Sequence, residues 1–300
     1  MDENYRSGFI SVIGRTNVGK SSLLNSMIGQ KVSIVSDKPQ TTRNIIRLIL
    51  TTQTFQMVFL DAPGFHMPKT RLSENMVKSA TRSMNGVDAI LFVVENDLAI
   101  GRGDMRLIES LQKRSEPVIL AINKIDKIPR GDILKKIELF KDYSFIKAIV
   151  PVSALNGDNV SELVKTLYEY MPEGPMYFPE GMLTDRAERF FVSEIIREKA
   201  LLYLRDEIPH GIAIDIEKFE PNDQKGIIGI NAAIYARKSS HKGIIIGKGG
   251  ATLKKIASAA REGLEDLLGT KVFLSLYVKV KEGWQDSARD LAELGYRIDE

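Results

Sequence analysis

Unbroken apolar runs and helix-period stretches take turns along the first part of the chain. The runs are Gly8–Ile13 (GFISVI), Ile45–Leu50 (IIRLIL), Phe55–Leu60 (FQMVFL), Ala89–Val94 (AILFVV), Val118–Ile122 (VILAI) and Ala148–Val152 (AIVPV). Runs with no polar alternation predict strands covered on both faces. Helical spacing fills the segments Lys20–Ile28, Leu72–Ser83, Asp104–Lys113, Ile133–Phe140 and Val160–Tyr170. Only TTQT separates the second run from the third, a hairpin-sized gap. The pattern predicts an α/β domain with a mixed, mostly parallel sheet, one antiparallel edge, and helices on both faces.

After Met171 the texture changes. PEGPMYFPEGM carries three prolines and two glycines in eleven residues and reads as a linker. Beyond it Ala187–Leu204 is helical, Gly211–Phe219 and Ile227–Ala236 are strand-like, and Thr252–Leu268 is helical. Lys271–Val280 alternates as a strand, and a last helix is expected over Trp284–Leu294. This α-β-β-α-β order is not doubly wound and predicts a small α+β domain. The expected boundaries are 1–172 for the first domain, 173–184 for the linker and 185–300 for the second domain.

Composition adds limits more than direction. The chain has 300 residues, 43% apolar and 27% charged, with a formal charge of +3, which selects no partner by itself. With no cysteine, disulfides and thiolate metal sites are excluded. His66, His210 and His241 are too scattered for a zinc spacing. The polar start MDENYRSGFI lacks a signal-peptide core, and no apolar run reaches the ~18–20 residues that span a bilayer. A soluble, cytoplasmic protein is expected.

The chemistry begins with GRTNVGKSS, the residues Gly14, Arg15, Thr16, Asn17, Val18, Gly19, Lys20, Ser21 and Ser22. It fits G-x-x-x-x-G-K-[ST] directly after a predicted strand and at the start of a helix. Gly14 and Gly19 let the backbone curl so that N–H groups face phosphate. Lys20 is placed to reach the β- and γ-phosphates, and the Ser21 hydroxyl to ligate Mg²⁺. NKID, residues Asn123, Lys124, Ile125 and Asp126, ends the strand VILAI. A carboxylate at Asp126 can accept from guanine N1–H and its 2-amino group, which adenine cannot offer. Asn123 would brace the loop, and the Lys124 stem would cover the ring.

DAPG, residues Asp61, Ala62, Pro63 and Gly64, ends the third run. Asp61 can reach Mg²⁺ through water, and the Gly64 N–H can meet the γ-phosphate. In VSAL, Ser153 and Ala154 end the last run, with the Ala154 N–H facing guanine O6. PQTTR, Pro39–Arg43, offers a threonine to complete the Mg²⁺ shell; Thr42 is favoured over Thr41. Lys20, Thr42 and Gly64 are thus the residues expected at the reacting phosphate. Val32–Arg43 and Phe65–Leu72 are candidate switch segments.

These motifs in this order resemble the translation-factor-related GTPases, and GRTNVGKSSLLN with DAPG points to the branch of Era-, EngA- and MnmE-like proteins. Where Ras-like relatives carry a water-orienting glutamine after the DxxG glycine, this chain has Phe65. Slow intrinsic hydrolysis is expected, driven by Mg²⁺, Lys20 and backbone donors. Phe65 as core packing is an equal reading of the ring. In potassium-activated relatives an asparagine at the Asn17 position helps hold K⁺. Here it either does so or braces the loop.

A second glycine loop, GIIIGKGGATLKKI, runs from Gly243 to Ile256. It fails as a phosphate loop of the first kind. Its glycines before Lys248 are four apart instead of five, and Gly249 stands where a hydroxyl should be. What remains is G-x-x-G at Gly247, Lys248, Gly249 and Gly250, the KH loop that clamps the backbone of single-stranded nucleic acid. Ile244, Ile245 and Ile246 are expected as an apolar floor for bases. From Gln224 to Arg261 the stretch holds Lys225, Arg237, Lys238, Lys242, Lys248, Lys254, Lys255 and Arg261 with no acid between. Such a patch suits a polyanion.

The element order resembles a type II KH domain. A GTPase domain followed by such a domain is similar to the Era family along the whole chain, including the ending YVKVKEGWQDSARDLAELGY. Thr16 departs from the family's usual proline, and Gln285 from a frequent basic residue, which puts one RNA backbone contact there in doubt. Trp284 is expected as a core anchor. The resemblance implies a GTP-hydrolysing switch that binds the 3′ end of 16S ribosomal RNA and acts in assembly of the 30S ribosomal subunit. It also implies peripheral association with the inner face of the cell membrane, and a monomer is expected. Two other readings stay open from the residues. One is a GTPase assisting an RNA-modifying enzyme, with a protein-docking second domain. The other is a constitutive RNA-binding protein that GTP merely stabilises.

Overall fold

Every apolar run of the first part forms a strand in the computed structural model of the chain, which describes residues 5–38, 40–222 and 226–296. The first four residues of the polar start, Pro39 of PQTTR, and Gln224 and Lys225 of the basic stretch lie outside the described residues. So do the last four residues of the expected second domain. The strands are β1 (Arg6–Ile13), β2 (Ile46–Thr51), β3 (Phe55–Asp61), β4 (Ala89–Glu95), β5 (Val118–Asn123) and β6 (Ile146–Pro151). They form one sheet in the order β2-β3-β1-β4-β5-β6. Only the β2–β3 pair is antiparallel. That edge is where TTQT left too little chain for a crossover.

The intervening helices are α1 (Lys20–Ile28), α2 (Arg71–Arg82), α3 (Arg102–Leu111), α4 (Arg130–Glu138) and α5 (Val160–Tyr168). Leu107, Ile108 and Leu111 of α3 pack with Ile13, Phe92, Val94, Leu120 and Phe140 on one side of the sheet. The alternate strand residues Val12, Leu91, Val93 and Ile119 are equally buried, so both faces are covered. Parallel pairing of β1, β3, β4, β5 and β6 brings their C-terminal ends to one edge. That edge is where open α/β sheets bind ligands, and the phosphate loop, DAPG, NKID and VSAL all leave from it.

The Pro- and Gly-rich stretch expected as a linker is held along this sheet. Gln56, fully buried in β3, accepts from the N–H groups of Tyr177 (2.8 Å) and Phe178 (2.9 Å) and donates to the Phe178 carbonyl. Ser7 donates to the Pro175 carbonyl at 2.7 Å, and the Ile49 N–H to Leu183 at 2.8 Å. Proline and glycine here release the backbone from regular structure without releasing it from the sheet.

By contacts the chain forms two compact units. One holds the chain up to Val35, Thr42–Pro68 and Met76–Asp185; the other holds Ser36–Thr41, Lys69–Asn75 and the chain from Arg186 onward. The second unit contains α6 (Glu188–Tyr203), β7 (Ile212–Asn222), β8 (Ile227–Ala236), α7 (Ser239–Ile246), α8 (Ala251–Leu268), β9 (Lys271–Val280) and α9 (Ala288–Glu293). Its sheet runs β7-β8-β9, with β7–β8 antiparallel and β8–β9 parallel. The parallel pair requires a crossover, which α7 and α8 supply. Val192, Ile196, Ile214, Ile234, Ile256, Leu264 and Val278 form its core.

Two elements differ from the sequence expectation. The eight-residue α7 has no counterpart among the predicted elements, because three consecutive isoleucines give it no amphipathic period. The last helix begins at Ala288 instead of Trp284, with the Ser287 hydroxyl accepting from the Asp290 N–H as its cap. Trp284 lies before it, fully buried, stacked on Tyr296 and donating to the Gly211 carbonyl at 3.2 Å.

Candidate functional site

The loop Gly14–Ser22 turns from the end of β1 into α1. Gly14 lies so close to β4 that an added Cβ would sit 2.3 Å from the Val93 carbonyl oxygen. Val18 is fully buried and pins the loop to the sheet, Thr16 is half-buried, and Asn17 is exposed with φ of 67°. The Lys20 ammonium donates to the carbonyls of Gly14 (3.2 Å) and Arg15 (2.9 Å). Burial pushes its pKa down to about 8, against the opposing charge of Asp61.

Ser21, Thr42 and Asp61 converge. The Ser21 hydroxyl lies 3.1 Å from that of Thr42 and donates to the Asp61 carboxylate at 3.0 Å. Thr41 instead turns its hydroxyl to the Lys38 carbonyl at 2.6 Å. All-oxygen donors fit a hard cation such as Mg²⁺. Among the described residues no group of three His, Cys, Asp or Glu side chains could hold a metal. A cation bound here would draw on the Ser21 and Thr42 hydroxyls, the Asp61 carboxylate and phosphate oxygens, the donor set magnesium takes with nucleotides.

DAPG lies directly against the phosphate loop. Ala62, Pro63 and Gly64 are buried. A Cβ at Gly64 would stand 2.8 Å from the Thr16 backbone, so only glycine permits this approach. The next N–H, of Phe65, donates to the Gly14 carbonyl at 3.1 Å. The Phe65 ring packs on the apolar cluster of Phe92 and Leu107. Half-buried at the edge of that cluster, the ring offers no polar group to orient water.

At the neighbouring strand ends Asn123 is a junction. Its amide nitrogen donates to the Val18 carbonyl at 2.9 Å, and its oxygen accepts from the N–H groups of Lys124 (2.8 Å) and Ala154 (3.0 Å). The Ala154 N–H expected to face guanine O6 is thus engaged by Asn123, whose buried oxygen needs donors. Lys124 bridges the Asn17 carbonyl (2.7 Å) and Glu95 (2.6 Å), which lays its stem across the site. Asp126 is exposed, with one carboxylate oxygen accepting from Ser153 at 2.6 Å. Ile125 packs below on the apolar cluster.

In the second unit Gly247, Gly249 and Gly250 have φ of 75°, 59° and 79°. This left-handed run ends α7 and caps α8 with no side chain intervening. The Ala251 N–H that opens α8 donates to the Lys248 carbonyl, and with no side-chain cap the N–H groups after it in the first turn can face an anion. Lys242, Lys248, Lys254 and Lys255 are exposed around the loop. The apolar floor is narrower than expected. Ile244 is 55% exposed, but Ile245 is fully buried in the core and Ile246 packs against it. Helical spacing in α7 turns consecutive isoleucines to different sides, so the Ile245 side chain is removed from the expected base-packing surface.

A family model described as "50S ribosome-binding GTPase" matches residues 9–124, and a KH domain model matches residues 207–285. GTPase Era of Clostridium kluyveri is 52% identical over 292 residues, covering 97% of this chain and 99% of that protein. The chain belongs to the Era family of GTPases. GTPase Era of Alkaliphilus oremlandii is 51% identical, again over 97% of this chain and 99% of that one. An Era crystal structure with MgGDPNP and nucleotides 1506–1542 of 16S ribosomal RNA matches with a TM-score of 0.94 and 40% identity. A single-residue variant of Aquifex aeolicus Era bound to GDP·AlF4⁻ matches equally, each covering 98% of this chain and 100% of the other.

Sequence reading missed several residues that build these Era-type sites. Ser33 donates to Asp61 at 3.0 Å, and Glu95 holds Lys124. Asn25 ties the Val32 and Ser33 N–H groups at 2.9 Å. Gln285 is buried and donates to the His210 carbonyl at 2.6 Å, a structural role its place after Trp284 did not reveal. Ser33 and Glu95 are lone polar residues in no motif; Asn25 closes GRTNVGKSSLLN and Gln285 lies in the C-terminal stretch, but only the bonds they make reveal these roles.

Proposed function

We propose that the protein is a GTP-hydrolysing switch that binds the single-stranded 3′ end of 16S ribosomal RNA and acts in assembly of the 30S subunit. One observation carries this reading. The Lys20–Ser21–Thr42–Asp61 cluster and the Gly247–Gly250 loop occur together in a chain whose fold matches, almost end to end, an Era bound to MgGDPNP and that RNA. The working division of labour is residues 1–172 for GTP and 185–300 for RNA, with 173–184 joining them.

Backbone N–H groups of Gly14–Ser22 and the Lys20 ammonium hold the phosphates. Ser21 and Thr42 would hold Mg²⁺, with Asp61 as its further oxygen partner, and the ion would supply positive charge to the transferred phosphate. The Gly64 N–H meets the γ-phosphate oxygen. Asp126 selects guanine, Asn123 and Ser153 fix it in place, and Lys124 covers the ring. With the apolar Phe65 ring at the next position, no polar side chain follows Gly64 to orient water, so intrinsic turnover is slow. Asn17 would hold K⁺ beside the phosphates, where the ion would supply further positive charge. Nucleotide state alters RNA affinity through the segments Val32–Arg43 and Phe65–Leu72.

RNA contacts come from Lys242, Ile244, Lys248, Lys254, Lys255 and the backbone of Gly247–Gly250. A cytoplasmic monomer with peripheral membrane association rests on the family resemblance. No helix among the described residues is long and apolar enough to cross a membrane.

Crosslinking the purified protein to cellular RNA, followed by sequencing, tests the RNA reading. Enrichment of the 16S 3′ end at the Gly247–Gly250 loop is expected. Crosslinks elsewhere, or none, would favour a protein-docking second domain. Turnover in K⁺ and Na⁺ buffers tests Asn17. Higher turnover in K⁺ is expected, and equal rates would refute the cation site.

A further inference from the structure

The side chain of Arg15 has no part in the phosphate chemistry above, yet it is anchored by two carboxylates. It runs to α3, where its Nε lies 2.9 Å from the Asp104 carboxylate, and a terminal nitrogen donates to Asp97 at 3.1 Å. Asp104 is only 1% exposed. The Gly101–Gly103 turn makes room for the arginine; a Cβ at Gly103 would stand 2.7 Å from Arg15 Cδ. On the other side Lys136 of α4 is also only 1% exposed, donates to the Ala99 carbonyl at 3.2 Å, and faces the charges of Asp104, Asp97, Glu95 and Arg15. The buried carboxylate is thus bonded to Arg15 and also feels the charge of Lys136.

The anchor acts at a sensitive point. The Arg15 carbonyl accepts from Lys20, and the adjoining Gly14 carbonyl accepts from both Lys20 and the Phe65 N–H. Fixing Arg15 therefore fixes the two carbonyls that aim the phosphate lysine and hold the DAPG segment against the loop.

We propose that Arg15 is a positioning residue for GTP hydrolysis, held by Asp104 and Asp97, with Lys136 as the balancing cation beneath them. The proposal rests on the reading of Lys20 as the phosphate-binding lysine. It assigns to α3 and α4, which carry none of the nucleotide motifs, control over the geometry of the reacting phosphate.

Asp104→Asn and the double variant Asp104→Asn/Lys136→Met, made in the full chain, test it. Asp104→Asn keeps the shape and leaves Arg15 and Lys136 without the charge of that carboxylate. Its kcat for GTP is expected to fall about tenfold with KM changed less than about threefold, the mark of an interaction that matters in the transition state. Its thermal midpoint is expected to fall as well. The double variant also removes the stranded lysine charge, so its thermal midpoint should recover while kcat stays low. Arg15→Lys, which keeps the charge but loses the planar fork, should share the low kcat. Recovery of kcat together with stability in the double variant, or wild-type turnover in Arg15→Lys, would overturn the proposal. If Asp104→Asn does not fold, the double variant decides alone. Lys20→Met separates the two readings: undiminished GTP affinity there defeats the phosphate-lysine reading itself, whatever the Asp104 variants do.

Discussion

At the scale of single residues, the nucleotide site is a set of close approaches that tolerate no added atom. Gly19 shows this most plainly. Its φ is 92°, and a Cβ there would stand 2.3 Å from the Asn123 amide nitrogen. That nitrogen holds the Val18 carbonyl, while the oxygen of the same side chain holds Ala154. Gly19→Ala therefore displaces a side chain that ties the phosphate loop to both the NKID and the VSAL segments. Left-handed strain of about 1–2 kcal/mol adds to the displacement, so GTP affinity should drop at least about tenfold by titration calorimetry. Gly249→Asn is the matched control. Its φ is 59° and nothing lies within 4 Å of the Cβ position. Asparagine tolerates this backbone region, so the thermal midpoint should stay within a few degrees. Glycines at motif positions were readable because spacing and chemistry name them together. Arg15, Asp104 and Ser33 were not, because what they bond is set by tertiary contacts that leave no trace in spacing.

At the scale of elements, the end of α8 shows how a helix is joined to the strand that follows. Glu265 accepts from the Val272 N–H at 3.2 Å, from Arg261 at 3.0 Å and faces Lys271. The Val272 N–H, ahead of the two cations, holds its carboxyl below the ordinary value of 4.5. A carboxylate depressed in the folded state stabilises the fold above its unfolded pKa and loses that contribution as pH falls through its folded pKa. Glu265→Gln should therefore lower the thermal midpoint at neutral pH, and the gap to wild type should close in scans below about pH 4. A gap independent of pH would mean that the charge plays no part. The strands and longer helices around this joint were legible because burial on both faces or on one stripe writes a period into the chain. The elements missed were those whose order comes from packing alone. Helix α7 lacks a period. The 173–184 stretch has loop composition but is bonded along β2 and β3 through Gln56 and Ile49. Gly- and Pro-rich composition reports irregular backbone and says nothing of whether that backbone is held.

At the scale of the whole molecule, two glycine loops of similar appearance are matched to two different polyanions. The first is backed by a buried lysine and an oxygen cluster suited to magnesium; the second has three glycines of positive φ, a helix start with no side-chain cap and exposed lysines, and glycine instead of a hydroxyl residue follows its lysine. The division predicts separable losses. On the proposed reading of Asp126 as the guanine-selecting residue, Asp126→Asn exchanges a carboxylate for an amide at the base. At ~1.5–3 kcal/mol for a hydrogen bond to a charged group, GTP should bind about 10–100-fold more weakly. RNA affinity of the nucleotide-free protein should be unchanged. Lys248→Asp reverses charge at the second loop. It should weaken binding of a 16S 3′-end oligonucleotide roughly tenfold and reduce the salt slope by about 1, with GTP affinity intact. If the loops also act as a switch, linkage adds a stricter demand. The factor by which a non-hydrolysable GTP analogue strengthens RNA binding must equal the factor by which RNA strengthens binding of that analogue. Both factors can be measured in the same protein by fluorescence titration. Equal factors above unity support a switch. Factors of one in both directions leave two independent sites, with GTP serving the fold alone. A shared loss of both activities in either variant would break the two-site reading itself.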